Sequence, residues 1–224
     1  MLSNKKIFLV SKPSLWSNQL YDRLIDFDCS YFNDDSYIDF LSQKPDWIFF
    51  FHWSKIVPKE IFDNNKCVVL HTGNLPKGRG GSPIQNQILD GILESKVNAI
   101  VMGAELDAGD VYCSLPITLQ GSLTDIWLSF VDRSYELIKK CIIENPEPIK
   151  QIGEPQIYKR NKNNRLPLTE SDDLIEIHKF IQMLDGEGYP NAFLEVGDFR
   201  LEFFRSKMND GNILSDVIIR RINE

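Results

Sequence analysis

Four short apolar runs constrain the fold of this chain more than any other feature. They occupy residues 7–10, 47–51, 68–70 and 97–102. Runs of this length, bounded by turn-forming residues, are typical of strands that are buried on both faces of a sheet. Amphipathic helices are predicted between the early runs, over residues 15–25 and after Pro58. Because strands that alternate with helices indicate an α/β fold, we predict a mostly parallel sheet flanked by helices, with a Rossmann-like arrangement.

The second half of the chain contains one long predicted helix and a smaller unit. Ser122 is expected to cap a helix over residues 123–144, which Pro146 and Pro148 terminate. We therefore predict a core domain at residues 1–145, a linker at 146–168 and a small C-terminal α+β subdomain at 169–224. In that subdomain, residues 169–172 fit a capping box for a helix over residues 174–184, and three strands are predicted to follow.

The loop after the third apolar run combines a histidine with turn-forming residues. His71 opens this loop, and a helix is predicted to begin near Ser82; between them lie Thr72, Gly73, Asn74, Pro76, Gly78, Gly80 and Gly81. After the fourth run, Asp107 lies in a second turn that contains Gly109. The ends of neighbouring strands meet at one edge of an α/β sheet, so we expect His71 and Asp107 to share a pocket.

These two turns resemble the folate-dependent formyltransferase family. That family carries a motif of the form N-x-H-P-S-L-L-P-x-x-R-G followed by L-D-x-G, and its catalytic histidine and aspartate fall on His71 and Asp107, which are 107 − 71 = 36 positions apart. The resemblance implies N10-formyltetrahydrofolate as co-substrate and formyl transfer to an amine. In that reaction His71 would move a proton or stabilise the oxyanion. Asp107 would orient the His71 ring and help to collect the amine's proton.

The resemblance also implies a folate site beside these residues. The segment from Pro45 to Ile61 resembles the family region that lines that site, and the aspartate turn is expected to complete it. The cofactor-binding residues predicted on this basis are Phe51, His52, Trp53, Met102, Gly103, Ala104, Glu105 and Leu106.

One position departs from the family motif. Val69 stands where the family has its asparagine, two residues before His71. An aliphatic side chain cannot donate a hydrogen bond to an oxyanion, and the loss of one such donor costs about 100- to 1000-fold in rate. Asn74 is the predicted substitute; the further candidates are Gln85, Asn86 and Gln87.

Composition and charge guide the choice of acceptor. The net charge of −7 argues against broad nucleic-acid binding, which needs a surplus of lysine and arginine. We therefore predict an amino sugar, linked to a nucleotide, as the acceptor, with Lys77 and Arg79 binding its phosphate; shaping of the loop is the alternative role for Arg79. Two other functions remain open: methionyl-tRNA formyltransferase, and a non-catalytic protein that binds folate or a sugar nucleotide.

The cysteine pattern and the N-terminal apolar run predict an intracellular protein without a metal site. The cysteines, Cys29, Cys67, Cys113 and Cys141, form neither a C-x-x-C motif nor a cluster with histidine, so we interpret them as reduced thiols. The apolar run at residues 7–10 is too short for a signal peptide or a membrane span. We expect a cytoplasmic protein with no membrane partner, and the resemblance suggests a homodimer.

Overall fold

A six-stranded sheet forms the centre of the computed structural model, which describes residues 4–160, 162–168 and 173–222. The strands are β1 Lys6–Ser11, β2 Asp28–Phe32, β3 Trp47–Phe51, β4 Cys67–Thr72, β5 Lys77–Gly80, β6 Glu94–Val101, β7 Val111–Thr118, β8 Gln156–Tyr158, β9 Ala192–Val196, β10 Phe199–Asn209 and β11 Asn212–Arg221. The helices are α1 Leu15–Arg23, α2 Lys59–Asn64, α3 Pro83–Leu89, α4 Leu123–Glu144 and α5 Leu174–Gln182, and a 3-10 helix spans Asp35–Gln43.

The central sheet has the order β2-β1-β3-β4-β6-β7. The first four of these strands are parallel, whereas β6 pairs antiparallel with β4 and with β7. The predicted fold class, a mostly parallel sheet flanked by helices, is therefore confirmed.

Each face of the sheet packs against its own hydrophobic core. In β3, Phe51 belongs to the larger core with Leu70 and the α4 residues Trp127 and Phe130, while Phe50 belongs to the smaller core on the opposite face. Burial of side chains of this size stabilises the fold by about 1.5–3 kcal/mol each. The sheet is thus held from both sides, and its carboxyl edge is a rigid platform.

The long helix α4 begins and ends as the sequence predicts. The Ser122 hydroxyl accepts a hydrogen bond from the Asp125 amide, and the Asp125 carboxylate accepts one from the Ser122 amide, at 3.1 Å each. This reciprocal capping satisfies amides that have no partner within the helix. The helix ends at Asn145, whose left-handed backbone (φ +45°) stops it before Pro146.

The C-terminal part consists of α5 packed on a three-stranded antiparallel sheet, β11-β10-β9. This agrees with the predicted α+β character. The predicted capping box at residues 169–172 lies outside the described residues. The Asp173 side chain caps α5 by accepting a hydrogen bond from the Ile175 amide at 2.8 Å.

The segment at 146–168, predicted as an irregular linker, contains a strand that joins the histidine loop. Within it, β8 pairs in parallel with β5, and Ile149 bridges Val111 at the start of β7. The Tyr158 carbonyl lies against Gly80, and the Tyr158 ring lies against Gly78. This segment therefore contacts both turns that carry the predicted catalytic residues, and the division at 145/146 stays a prediction.

Candidate functional site

A cavity of about 720 Å³ lies at the carboxyl edge of the sheet. Its walls come from the ends of β1, β3 and β4, the loop before α3, the turn before β7, helix α4 and the loop after α5. Cavities of this size hold small-molecule ligands. The position follows from the topology, because side chains that follow parallel strands converge at this edge.

The cavity spans both faces of the sheet. Phe50 and Val69 are paired in register on one face, where the Trp53 ring lies 6.1 Å from Phe50. We call this part the Trp53 chamber. The other part, lined by Gln85, Trp127 and Tyr189 on the side of the larger core, is the Trp127 chamber.

His71 and Asp107 lie together in the wall of this cavity. His71 Nδ1 is 3.4 Å from Asp107 Oδ2, and their side chains are only 6% and 8% exposed. His71 Nε2 lies 2.8 Å from the Gly78 carbonyl, which can only accept a hydrogen bond, so Nε2 carries a proton. A doubly protonated imidazolium would satisfy both contacts. Neither ring nitrogen is free to reach a ligand while these contacts persist.

The Asp107 carboxylate is held at one oxygen. Oδ2 accepts a hydrogen bond from the Gly80 amide at 2.9 Å, in addition to facing His71. In the described part of the chain, Oδ1 accepts none, so this oxygen is available to a ligand. The Asp107 backbone is left-handed (φ +52°), a conformation that costs energy and that surrounding contacts must hold.

Gln151 supplies those contacts from the segment predicted as a linker. Its Nε2 donates to the carbonyls of Asp107 and Gly109 at 2.9 and 2.8 Å. Its Oε1 accepts from Arg79 Nε and Nη2 at 3.0 and 2.9 Å. Arg79 also faces Glu105 at 3.4 Å. The Arg79 guanidinium is thus engaged in shaping the loop, which is the alternative role that the sequence left open.

The structure places several predicted site residues outside the cavity. The Asn74 side chain is exposed and donates to the Glu94 carbonyl at 3.3 Å, so it points away from the site, and Lys77 is also exposed. Of the predicted cofactor-binding residues, His52, Trp53 and Leu106 line the cavity. Those that do not are Phe51, Met102, Gly103, Ala104 and Glu105.

Their positions have simple physical reasons. Phe51 points to the opposite face from Phe50 and stacks on Phe130 at 5.0 Å in the larger core. Met102 packs against the smaller core. Glu105 turns outward toward Arg79, with 76% of its side chain exposed, and Gly103 and Ala104 are exposed with it.

The cavity is rich in buried polar atoms without hydrogen-bond partners. In the described residues these include His52 Nδ1, Trp53 Nε1 and Thr72 Oγ1. The side chains of Gln85 and Trp127 both face the Tyr189 hydroxyl. Each unpaired buried polar group costs about 1–3 kcal/mol, so such a group in a cavity indicates a ligand contact. Among the further candidates for the oxyanion donor, Gln85 lines the cavity, where its side chain faces the Tyr189 hydroxyl. The amides of Asn86 and Gln87 already donate to backbone carbonyls.

The site also contains five residues that were not predicted from the sequence: Lys12, Trp127, Gln151, Arg160 and Tyr189. They come from separate elements, and Trp127 follows the apolar pattern of a core residue of α4. No local pattern marks the others, because their roles depend on contacts between distant parts of the chain.

His52 is an uncharged group in this cavity. Burial, together with the nearby charges of Lys12 and Arg160, lowers the pKa of His52 from 6.5 to about 4. Its ring lies 4.8 Å from the Trp127 ring, and its backbone is left-handed (φ +49°). The imidazole is therefore neutral near pH 7.

We expect His52 to make the fold sensitive to acid. Below pH 6.5 the unfolded chain binds a proton at His52 that the folded chain does not bind until about pH 4. Stability is therefore full above pH 6.5 and falls as the pH drops toward 4, by up to about 3 kcal/mol. His52→Asn, which tolerates the left-handed backbone, should flatten this part of the pH profile.

The measurement is urea unfolding of both proteins between pH 4 and 7.5. Loss of the ring contact with Trp127 changes the variant's free energy of unfolding by the same amount at every pH. The readout is therefore the slope of that free energy against pH. His178→Asn is measured in parallel, because burial also lowers the pKa of His178 and its share of the pH dependence must be determined separately. Parallel profiles for the wild type and His52→Asn would refute the assignment.

Comparisons with known proteins identify the family. The family model of the methionyl-tRNA formyltransferase C-terminal domain matches residues 163–220. The solved structure of methionyl-tRNA formyltransferase from Clostridium thermocellum is 33% identical, with a TM-score of 0.88 over 96% of this chain and 99% of that one. A curated methionyl-tRNA formyltransferase from Campylobacter hominis is 48% identical over 168 residues, which cover 71% of this chain and 53% of the relative.

A more distant structure shares the fold alone. A 4-N formyltransferase from Francisella tularensis is 17% identical, with a TM-score of 0.67 over 95% of this chain and 96% of that one. An α/β core with a histidine and an aspartate at the sheet edge, together with the similarity to the Clostridium structure, defines the class. The chain belongs to the formyltransferase family. It spans between 51% and 60% of the length of the first curated relatives that it matches.

The described residues contain neither a helix suited to span a membrane nor a cluster of metal-binding side chains. No helix there has the length and apolar character needed to cross a bilayer. No group of three or more histidine, cysteine, aspartate and glutamate side chains there has the arrangement of a metal site.

Proposed function

We propose that this chain transfers the formyl group of N10-formyltetrahydrofolate to a primary amine. The observation that carries the proposal is the buried pair of His71 and Asp107, with one carboxylate oxygen available in the cavity. The similarity to methionyl-tRNA formyltransferases supports the reaction type.

The chemistry requires one proton to move. The neutral amine attacks the formyl carbon, the carbonyl electrons pass to oxygen, and collapse of the tetrahedral intermediate breaks the bond to N10. The proton that the amine loses is gained by N10, so no other reactant is consumed. Asp107 Oδ1 is the group placed to accept the amine's proton, and the His71 ring stabilises the carboxylate from its other side.

Two roles were expected for His71, moving a proton or stabilising the oxyanion, and the contacts of its ring support the second. Its Nε2 is bonded to the Gly78 carbonyl and its Nδ1 faces Asp107. In the protonated form the ring places a positive charge beside the reaction centre, which favours a developing oxyanion. Val69 contributes no donor there, so the hydrogen bond to the oxyanion has to come from elsewhere in the cavity.

The Trp53 chamber fits the folate head group. A pterin is flat, with apolar faces and polar edges, and the chamber offers the Phe50 and Val69 side chains together with the unpartnered Trp53 Nε1 donor. When bound, N10-formyltetrahydrofolate supplies the activated formyl group.

The acceptor is the least constrained part of the proposal. The sequence favoured a nucleotide-linked amino sugar, whereas the relatives with the higher identity are methionyl-tRNA formyltransferases. Methionyl-tRNA is therefore the first acceptor to test, and amino sugars linked to nucleotides are the second.

The test is release of tetrahydrofolate with each acceptor in turn, together with a direct measurement of folate binding. Turnover with either acceptor supports the proposal and identifies the substrate class. Folate binding without turnover on any acceptor would instead favour the non-catalytic function, which the aliphatic Val69 in the cavity wall also favours.

We expect Gln151 to act on turnover through the Asp107 turn. Gln151→Leu removes the hydrogen bonds to Asp107, Gly109 and Arg79 and releases a strained turn. A displacement of a catalytic group by about 1 Å lowers the rate about 100-fold. Movement of the Asp107 turn should therefore lower kcat 10- to 100-fold, with a smaller change in KM. Gln151→Glu keeps the Arg79 contact but places a carboxylate against two carbonyls, and should not restore activity.

The control is Gln156→Leu, a matched change of an exposed glutamine in the same segment. Steady-state kinetics across pH give the readout, because a displaced Asp107 also shifts the pH profile of kcat. Equal effects of the substitutions at 151 and 156 would show that Gln151 does not position the site.

A further inference from the structure

Two cysteine side chains that the proposed chemistry does not use lie in contact with each other. Cys113 Sγ and Cys141 Sγ are 3.7 Å apart, although the residues are 28 positions apart in the sequence. Cys113 lies on β7 and Cys141 on α4, which packs against that strand. All four cysteines are free thiols. Sulfur atoms in contact need only a small movement to form a bond.

The two thiols differ in their access to solvent. Cys113 is half-buried on β7, which is an edge strand of the central sheet. Cys141 is fully buried in the larger core. A small oxidant can therefore reach Cys113 from solvent, while Cys141 is shielded and faces Cys113.

The contact also makes the two thiols unequal in acidity. The hydrogen bond from the Cys141 thiol, with the charge of Lys140, lowers the pKa of Cys113 against the opposing effects of burial and of Glu144. The same hydrogen bond and burial raise the pKa of Cys141. Because the thiolate is the form that attacks an oxidant, Cys113 is the nucleophile of the pair.

The other two thiols lack these features. Burial raises the pKa of Cys29 and that of Cys67 to about 12. Neither of them contacts a second thiol in the described part of the chain. Both therefore stay protonated near pH 7 and react slowly.

The pair lies next to the turn that carries Asp107. Strand β7 begins at Val111, directly after that turn, and its pairing with β6 shifts in register between Val111 and Cys113. The outer side of β7 has one bridge among the described residues, from Val111 to Ile149. A bond from Cys113 to α4 would therefore restrain β7 at the first paired residue after the irregularity.

We propose that Cys113 and Cys141 are a dithiol that a hydroperoxide oxidises to an intramolecular disulfide, which ties β7 to α4 beside the Asp107 turn. The Cys113 thiolate attacks the terminal peroxide oxygen, and the O–O bond breaks to give a sulfenic acid and an alkoxide or hydroxide, which takes up a proton. Cys141 then loses its proton and attacks the Cys113 sulfur, and the hydroxyl group leaves as water. The two sulfurs lose an electron pair and the peroxide gains it.

The test is mass spectrometry of the protein after treatment with hydrogen peroxide and digestion without reduction. We expect the wild type to lose two hydrogens and to give two peptides joined through Cys113 and Cys141, which dithiothreitol separates. Cys113→Ser should slow the loss of free thiols at least about tenfold. Cys29→Ser is the matched control, because Cys29 is another half-buried thiol, and it should change the rate less than about twofold.

Cys141→Ala separates the two steps of the oxidation. Without the second thiol, oxidation should stop at the sulfenic acid of Cys113, which dimedone traps. The proposal would be overturned by the absence of the joined peptides in the wild type, by an unmodified Cys113 in Cys141→Ala, or by equal rates of thiol loss in Cys113→Ser and the wild type.

Turnover tests the link to the Asp107 turn, and this part alone rests on the proposed formyl transfer. Oxidation should lower kcat about two- to tenfold, which is less than expected for Gln151→Leu because the turn keeps its hydrogen bonds, and dithiothreitol should restore it. A disulfide with unchanged kcat would refute the link to the turn. If the disulfide forms but no acceptor is formylated, the oxidation site stands and the formyl transfer is refuted; turnover without a disulfide would have the opposite meaning.

Discussion

Asp107→Asn should lower kcat for formyl transfer by about 100- to 10,000-fold, the range over which a positioned base contributes. The substitution removes the oxygen that is free to accept the amine's proton and the negative charge beside His71. Asparagine tolerates the left-handed backbone at φ +52°, so the fold should persist. The measurement is kcat and KM with each acceptor, accompanied by the melting temperature.

Asp110→Asn is the matched control. Asp110 lies three residues away in the same turn, and its carbonyl, not its side chain, bonds to Val101. Its substitution should change kcat less than about threefold, because the half-buried Asp110 side chain forms no hydrogen bond or ion pair with another described residue. Retention of more than a tenth of the wild-type kcat by Asp107→Asn would remove Asp107 from the role of base.

Gly109→Ala should destabilise the protein by about 2–4 kcal/mol, near the upper end of effects for added atoms. A Cβ at this position would lie 1.8 Å from the Val101 carbonyl oxygen, so backbone would have to move. The melting temperature of a chain of this length should fall by roughly 5–15 °C. Because Gly109 and Asp107 share the Gln151 side chain, turnover should fall as well.

Gly103→Ala tests whether the loss of stability in Gly109→Ala comes from the close approach of the added Cβ to Val101. Gly103 precedes the same turn, and a Cβ there meets nothing within 4 Å. Thermal unfolding of the two variants in parallel gives the comparison. Similar melting temperatures would show that the turn accommodates a side chain at 109 and that the close approach to Val101 is not rigid.

The central sheet could be predicted from the sequence because its signal is local. Apolar runs such as 47–51 have one favourable arrangement, with strands buried on both faces. The pairing of β5 with β8 left no such signal, since Lys-Gly-Arg-Gly has no strand pattern and its partner lies in a polar segment. Predictions failed to place side chains where direction depends on loop conformation, as Asn74 shows.

The residues of the site likewise fall into those that a local sequence motif marks and those that it does not. The motif places His71 and Asp107 in the sequence, and the structure brings them together. Arg79 was recognised, but its partner Gln151 lies 72 positions away and carries no local signature. Lys12 and Arg160 likewise lie far apart in the sequence and line the same cavity only in the folded chain. Residues whose role depends on such long-range contacts cannot be identified as site residues from periodicity or composition.

The position of Gln151 also bears on synthesis of the chain. A nascent polypeptide that ends before residue 151 contains every strand of the central sheet, because the last of them, β7, ends at Thr118. It lacks the side chain that holds the Asp107 turn and the strand, β8, that pairs with the histidine loop. On the ribosome, every strand of the central sheet is therefore synthesised before the residues that order the reactive centre.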